Sequence, residues 1–144
     1  MPQLEFKHQF NYRHLFLETG GKKALTPPLP VIEIALSYHG LTRTAFSIID
    51  SGSTFSLFSL EVADGLEIEI LQGRAQKLTT LGGPLIAYGH EVEIEIAPEI
   101  HYQTEVLFSE HPIPRNLLGH SGFFDHVAVA LRSKFGLIYM NSEV

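Results

Sequence analysis

Phe46-Ser47-Ile48-Ile49-Asp50-Ser51-Gly52-Ser53-Thr54 is an apolar run that delivers a carboxylate into a tight glycine turn. The chain has only three aspartates, Asp50, Asp64 and Asp125, so this placement is conspicuous. A carboxylate carried on a buried strand survives only when it is hydrogen-bonded or when its shifted ionisation serves a purpose, because burial disfavours the charged form. Asp50 is therefore the first catalytic candidate. Taken alone, Asp-Ser-Gly-Ser is also an ordinary turn, since Asp, Ser and Gly all favour turns. Its weight comes from what surrounds it: an apolar strand before it, Leu81-Gly82-Gly83 downstream and Asn116-Leu117-Leu118-Gly119 further on.

Outward from this stretch, the chain reads as strands. Alternation is cleanest at Glu91-Val92-Glu93-Ile94-Glu95-Ile96, which predicts a half-buried antiparallel strand with its glutamates in solvent. Leu66-Glu67-Ile68-Glu69-Ile70 carries the same pattern, as do residues 31–38, 102–108, 127–131 and 135–140. Helical signal is sparse: Ser59 caps a turn or two that stops at Gly65, and Ser121 starts another through Phe124 and His126. A mostly β domain follows.

The 144 residues suit one domain, with residues 1–30 as an N-terminal arm and 31–144 as the core. Thr19-Gly20-Gly21-Lys22-Lys23 and Pro27-Pro28-Leu29-Pro30 interrupt regular structure in the arm. Its Phe6, Phe10, Tyr12, Leu15, Phe16 and Leu17 are too apolar for a free tail, so the arm is expected to pack on the domain or on a second copy.

A net charge of −6 and no basic cluster longer than Lys22-Lys23 argue against nucleic acid and against an anionic membrane surface as partners. The absence of cysteine removes thiolate nucleophiles, disulfides and Cys-based zinc sites. With no export signal or long apolar span visible, a cytoplasmic protein is expected. The eight histidines show no tight metal spacing, and no Gly-x-Ser-x-Gly elbow supports Ser51 or Ser53 as a nucleophile. Neither metal nor cofactor is expected.

Ile48-Ile49-Asp50-Ser51-Gly52-Ser53 resembles the active-site loop of aspartic proteases, and its single copy points to the retropepsin-like branch. Leu78-Thr79-Thr80-Leu81-Gly82-Gly83-Pro84-Leu85-Ile86 resembles the flap hairpin that closes over substrate. Asn116-Leu117-Leu118-Gly119 resembles the motif whose strand passes beneath the active-site loop, and Ser121-Gly122-Phe123-Phe124-Asp125 lies where the family has a short helix. The resemblance covers about residues 29–140 and is strongest to small bacterial retropepsin-like proteins.

It implies an all-β, closed β-barrel or sandwich of the acid protease fold with one or two short helices. It also implies a homodimer that pairs two Asp50 carboxyls, because water attack on a peptide needs a base and an acid together and one chain offers a single such Asp. A peptide or protein substrate would lie extended under a flap that contributes Leu81, Gly82, Gly83 and Ile86, with Leu117, Leu118 and Gly119 supporting the loop. By the same resemblance, Ser51 bonds across the two-fold axis and Ser53 reaches an outer carboxylate oxygen. Gly52 lets backbone N–H groups approach the carboxylate, where a Cβ would obstruct them.

Two departures stand out. Retroviral members usually carry Arg after the later glycine, paired with an acid behind the active-site loop; this chain has His120 there and Thr54-Phe55 behind the loop. In the flap, Pro84 removes one backbone donor. The competing reading is a non-catalytic module of the same fold that binds an extended peptide or only dimerises. The intact Asp50-Ser51-Gly52 favours the enzyme.

Overall fold

A computed structural model describes residues 3–143, without the side chains of Leu17 and Thr19. The order is β1 (His8–Asn11), β2 (Phe16–Thr19), β3 (Lys22–Leu25), β4 (Val31–Tyr38), β5 (Leu41–Ile49), β6 (Leu57–Phe58), α1 (Leu60–Gly65), β7 (Arg74–Thr80), β8 (Gly83–Ala97), β9 (Ile100–Phe108), β10 (Asn116–Leu118), β11 (Val127–Arg132) and β12 (Leu137–Ser142). Short 3-10 turns occupy Ile70–Gln72 and Ser133–Phe135.

Six strands close a barrel. Their order is β4-β5-β10-β6-β9-β8, and β8 returns to β4 through Leu36↔Ile94, while β7 hangs from the free half of β8. Closure leaves those six strands without an open edge. The 15-residue β8 makes this possible: its first half pairs with β7, and its second half pairs with both β9 and β4. Alternation dictates the inside. Val92 and Ile94 are buried between exposed Glu91, Glu93 and Glu95, and they join Ile34, Leu36, Phe58, Phe108, Leu118 and Phe123 in the core.

The β4–β5 hairpin turns at His39 and Gly40, with φ of 45° and 85°, the paired positive values of a type I′ two-residue turn. Ser59 caps α1 by accepting the Val62 N–H.

Two expectations are corrected. Residues 66–70 bury Leu66, Ile68 and Ile70 alternately but form no strand. The Leu66 N–H closes α1 onto Val62 O and Ala63 O, Glu67 turns to φ 55°, and the segment enters a 3-10 turn at Ile70. The helix expected from Ser121 through His126 is a run of turns instead, because Gly122 sits at φ 96° and Ser121 bridges to Phe55.

The arm is more regular than expected. β1 pairs with β12, which β11 flanks on its other side, and Phe10 and Tyr12 pack against the core. β2 and β3 form a separate hairpin whose root is held where Thr26 N–H donates to Leu15 O and the Thr26 hydroxyl accepts from Leu15 N–H. Among the described residues no helix is long and apolar enough to cross a membrane.

Candidate active site

The placement of Asp50 follows from strand order. β10 lies between β5 and β6, parallel to the first through Leu118↔Ile49 and antiparallel to the second through Leu117↔Leu57. Strands β5 and β6 follow each other in sequence but cannot pair, so residues 50–56 must arch over β10. The arch is stitched down along its length. Asp50 N–H donates to Leu118 O at 2.9 Å, His120 N–H to Ser53 O at 2.9 Å, and Ser121 N–H to Thr54 O at 2.8 Å.

Within the arch, the half-buried Asp50 accepts the Gly52 N–H on Oδ1 at 2.9 Å. A Cβ on Gly52 would stand 3.2 Å from that same oxygen, so glycine leaves the carboxylate room. Ser53 N–H donates to Asp50 O, completing the turn. The Ser53 hydroxyl, expected on the carboxylate, donates instead to Phe55 O at 2.6 Å, a local side-chain-to-backbone closure that competes successfully. Ser51 is exposed at the crest, where its carbonyl accepts from His120 Nε2 at 2.7 Å.

Beneath the arch, Gly119 is buried against it: a Cβ there would lie 2.3 Å from Phe55 O and 2.6 Å from Ser53 O. Sequence reasoning passed over Ser56. This side chain, 1% exposed, donates to Ser121 O at 3.0 Å and accepts the Gly119 N–H at 3.1 Å, so one hydroxyl ties both sides of the crossing. Its signal in sequence was only a serine entering an apolar strand. Ser56→Ala leaves the buried Gly119 N–H unpaired and is expected to cost about 1–3 kcal/mol in urea unfolding; an unchanged midpoint would mean that water replaces the hydroxyl.

The hairpin of β7 and β8 turns at Leu81-Gly82 and places Gly83 opposite Thr80. Gly83 has φ 112°, which favours glycine, whereas Gly82 lies outside the positive region. Pro84 sits in register with Thr79. The hairpin has two faces. Leu78 and Leu85 join Phe55, Ile113 and Leu117 as half-buried neighbours of buried Leu57, Ala87 and Leu107. This second apolar cluster spans from the strand beneath the arch to the hairpin. Leu81 and Ile86 are exposed and lie outside it. Period-two alternation from Leu85 through Ala87 was the signal that separates Leu85 from Ile86.

Behind the site, Tyr102 stacks on His126 with ring centres 4.3 Å apart and donates to Gly122 O at 3.0 Å. Burial, with the Asp125 carboxylate adding to it, pushes the Tyr102 phenol well above its ordinary value of 10.0. The folded state therefore holds this proton more tightly than the unfolded chain. Its contribution to stability is complete below about pH 10 and is lost as pH rises further. Tyr102→Phe should flatten that alkaline decline in unfolding measurements, and an equally steep decline would place the titrating group elsewhere.

Among the described residues no group of three or more His, Asp or Glu side chains is arranged to hold a metal ion.

No protein-family model and no curated protein matches the chain by sequence. Solved structures do match. A retropepsin-like aspartic protease from Rickettsia conorii superposes with a TM-score of 0.57 at 13% identity, over 76% of this chain and 88% of that one. EIAV protease in complex with the inhibitor HBY-793 superposes with a TM-score of 0.50 at 19% identity, over 64% of this chain and 82% of that one. The chain has the retropepsin-like all-β fold.

Proposed function

We propose that this chain is an aspartic endopeptidase whose active site forms when two copies bring their Asp50 carboxyls together. The observation that carries the reading is the arch itself. A carboxylate follows directly on a barrel strand, a glycine N–H is bonded to one of its oxygens, and a third strand beneath fixes the backbone on both sides. That rigidity is what catalysis by two carboxyls requires, because the water, the base and the acid must be aligned before reaction.

In the pair, one carboxylate takes a proton from water while the other carboxylic acid donates one to the scissile carbonyl, and the roles exchange as the intermediate collapses. This is the general chemistry of aspartic proteases, with each chain supplying half of the site. Peptide would run extended between the arch and the β7–β8 hairpin, adding a strand to the hairpin backbone. The half-buried Phe55, Leu78, Leu85, Ile113 and Leu117 offer an apolar floor for its side chains. β12 already has β1 on one side and β11 on the other, so two copies would meet without inserting a partner strand beside it.

The test is mass-spectrometric profiling of a mixed peptide library with the wild type and Asp50→Asn, from acid to neutral pH, at concentrations that favour association. Cleavage by the wild type alone, rising and falling with pH because one carboxyl must be ionised and the other protonated, supports the enzyme. Bound but uncut peptides would identify the domain as a peptide-binding module of the same fold.

A further inference from the structure

His120 occupies the position after Gly119, outside β10 and on the surface, yet it engages the arch at two points. Its backbone N–H donates to Ser53 O at 2.9 Å, and its ring Nε2 lies 2.7 Å from Ser51 O. The two carbonyls flank Gly52, the residue whose N–H bonds Asp50 Oδ1 at 2.9 Å. A carbonyl oxygen can only accept, so Nε2 must carry the hydrogen in this contact. The ring is braced by Phe124, whose centre is 5.1 Å away, and the backbone around it is fixed by Phe124 N–H to Gly119 O and Asp125 N–H to His120 O, both at 3.1 Å.

We infer that His120 is the positioning residue of the Asp50 arch: by clamping the carbonyls on either side of Gly52, it holds the Gly52 N–H on the carboxylate. The role deepens the proposed peptidase reading and rests on it for its catalytic meaning, whereas the clamp itself is a property of the folded chain. A single imidazole on a neutral carbonyl does this without any acid behind the loop, where the sequence has Thr54-Phe55. A misplaced arch would move the carboxylate from its line to the substrate while leaving Leu78, Leu85, Ile113 and Leu117 of the apolar floor, which lie outside the arch, in place. The loss would therefore fall on kcat more than on KM.

The experiment uses the wild type, His120→Ala and His120→Gln. Nitrogen-15 NMR of the wild-type imidazole at alkaline pH, where histidine is neutral, should show the Nε2–H tautomer. Amide exchange at Gly52 and Ser53 should be about tenfold faster in His120→Ala, with no change in β8 and β9, and should return towards wild type in His120→Gln, whose amide can still donate. On a cleaved peptide, kcat should fall about tenfold in His120→Ala at nearly unchanged KM and recover in His120→Gln.

An Nδ1–H tautomer, wild-type exchange at Gly52 in His120→Ala, or a lower melting temperature with kcat intact would each overturn the assignment. The tautomer and the exchange are read without any cleavage. A chain that cuts no peptide but shows both signatures therefore sinks the peptidase reading and leaves the clamp standing.

Discussion

Asp50→Asn is expected to lower peptide cleavage by about 10³-fold or more while the fold and any self-association persist, since removing a positioned acid or base costs roughly 10²–10⁴-fold and here both copies lose theirs. The amide has nearly the shape of the carboxyl, and its oxygen can still accept the Gly52 N–H that Oδ1 now holds at 2.9 Å. The arch is anchored by backbone bonds, Asp50 N–H to Leu118 O, His120 N–H to Ser53 O and Ser121 N–H to Thr54 O, which the substitution does not touch. What disappears is the exchangeable proton. Activity against a peptide found by library profiling, with circular dichroism and sedimentation on the same samples, separates loss of chemistry from loss of structure. Residual cleavage above about a hundredth of wild type would remove Asp50 from the mechanism.

The parts of this arrangement that were legible in the sequence are those written in local chemistry. Alternation at residues 91–96 gives the burial seen in β8, and Asp-Ser-Gly after an apolar run gives the arch. Ser59 before Leu60 gives the cap of α1. Residues 66–70 misled because alternation reports which side chains are buried, not whether the backbone finds a partner. Leu66, Ile68 and Ile70 are buried while Glu67 takes a positive φ and the chain curls. The same logic hid Ser56: a buried hydroxyl between two crossing segments is a fact of tertiary packing, and no spacing announces it. The β1–β12 pairing was equally invisible, because it joins residues such as His8 and Met140 from opposite ends of the chain.

The largest stability effect is expected at Gly119, whose neighbours are main chain. A Cβ there would lie 2.3 Å from Phe55 O and 2.6 Å from Ser53 O, and no rotamer change can relieve a clash with backbone carbonyls. Both carbonyls are already committed: Ser53 O accepts the His120 N–H, and Phe55 O accepts the Ser53 hydroxyl. Lifting the arch to admit a methyl group would stretch both bonds and pull Ser56 from the Gly119 N–H that it now accepts. Overpacking typically costs about 1–3 kcal/mol, and a clash with two fixed carbonyls belongs at the upper end of that range, a large share of the ~5–15 kcal/mol that holds a domain together. Gly119→Ala should therefore lower the urea midpoint sharply and cut cleavage even where the chain remains folded. Gly82→Ala is the matched control. The nearest atom to its Cβ would be Thr80 Oγ1 at 3.8 Å, its φ lies outside the positive region, and its stability should change by no more than about 0.5 kcal/mol. If Gly119→Ala matched the wild type, the arch would stand clear of β10 in solution, and the rigidity assigned to Asp50 would lose its physical basis.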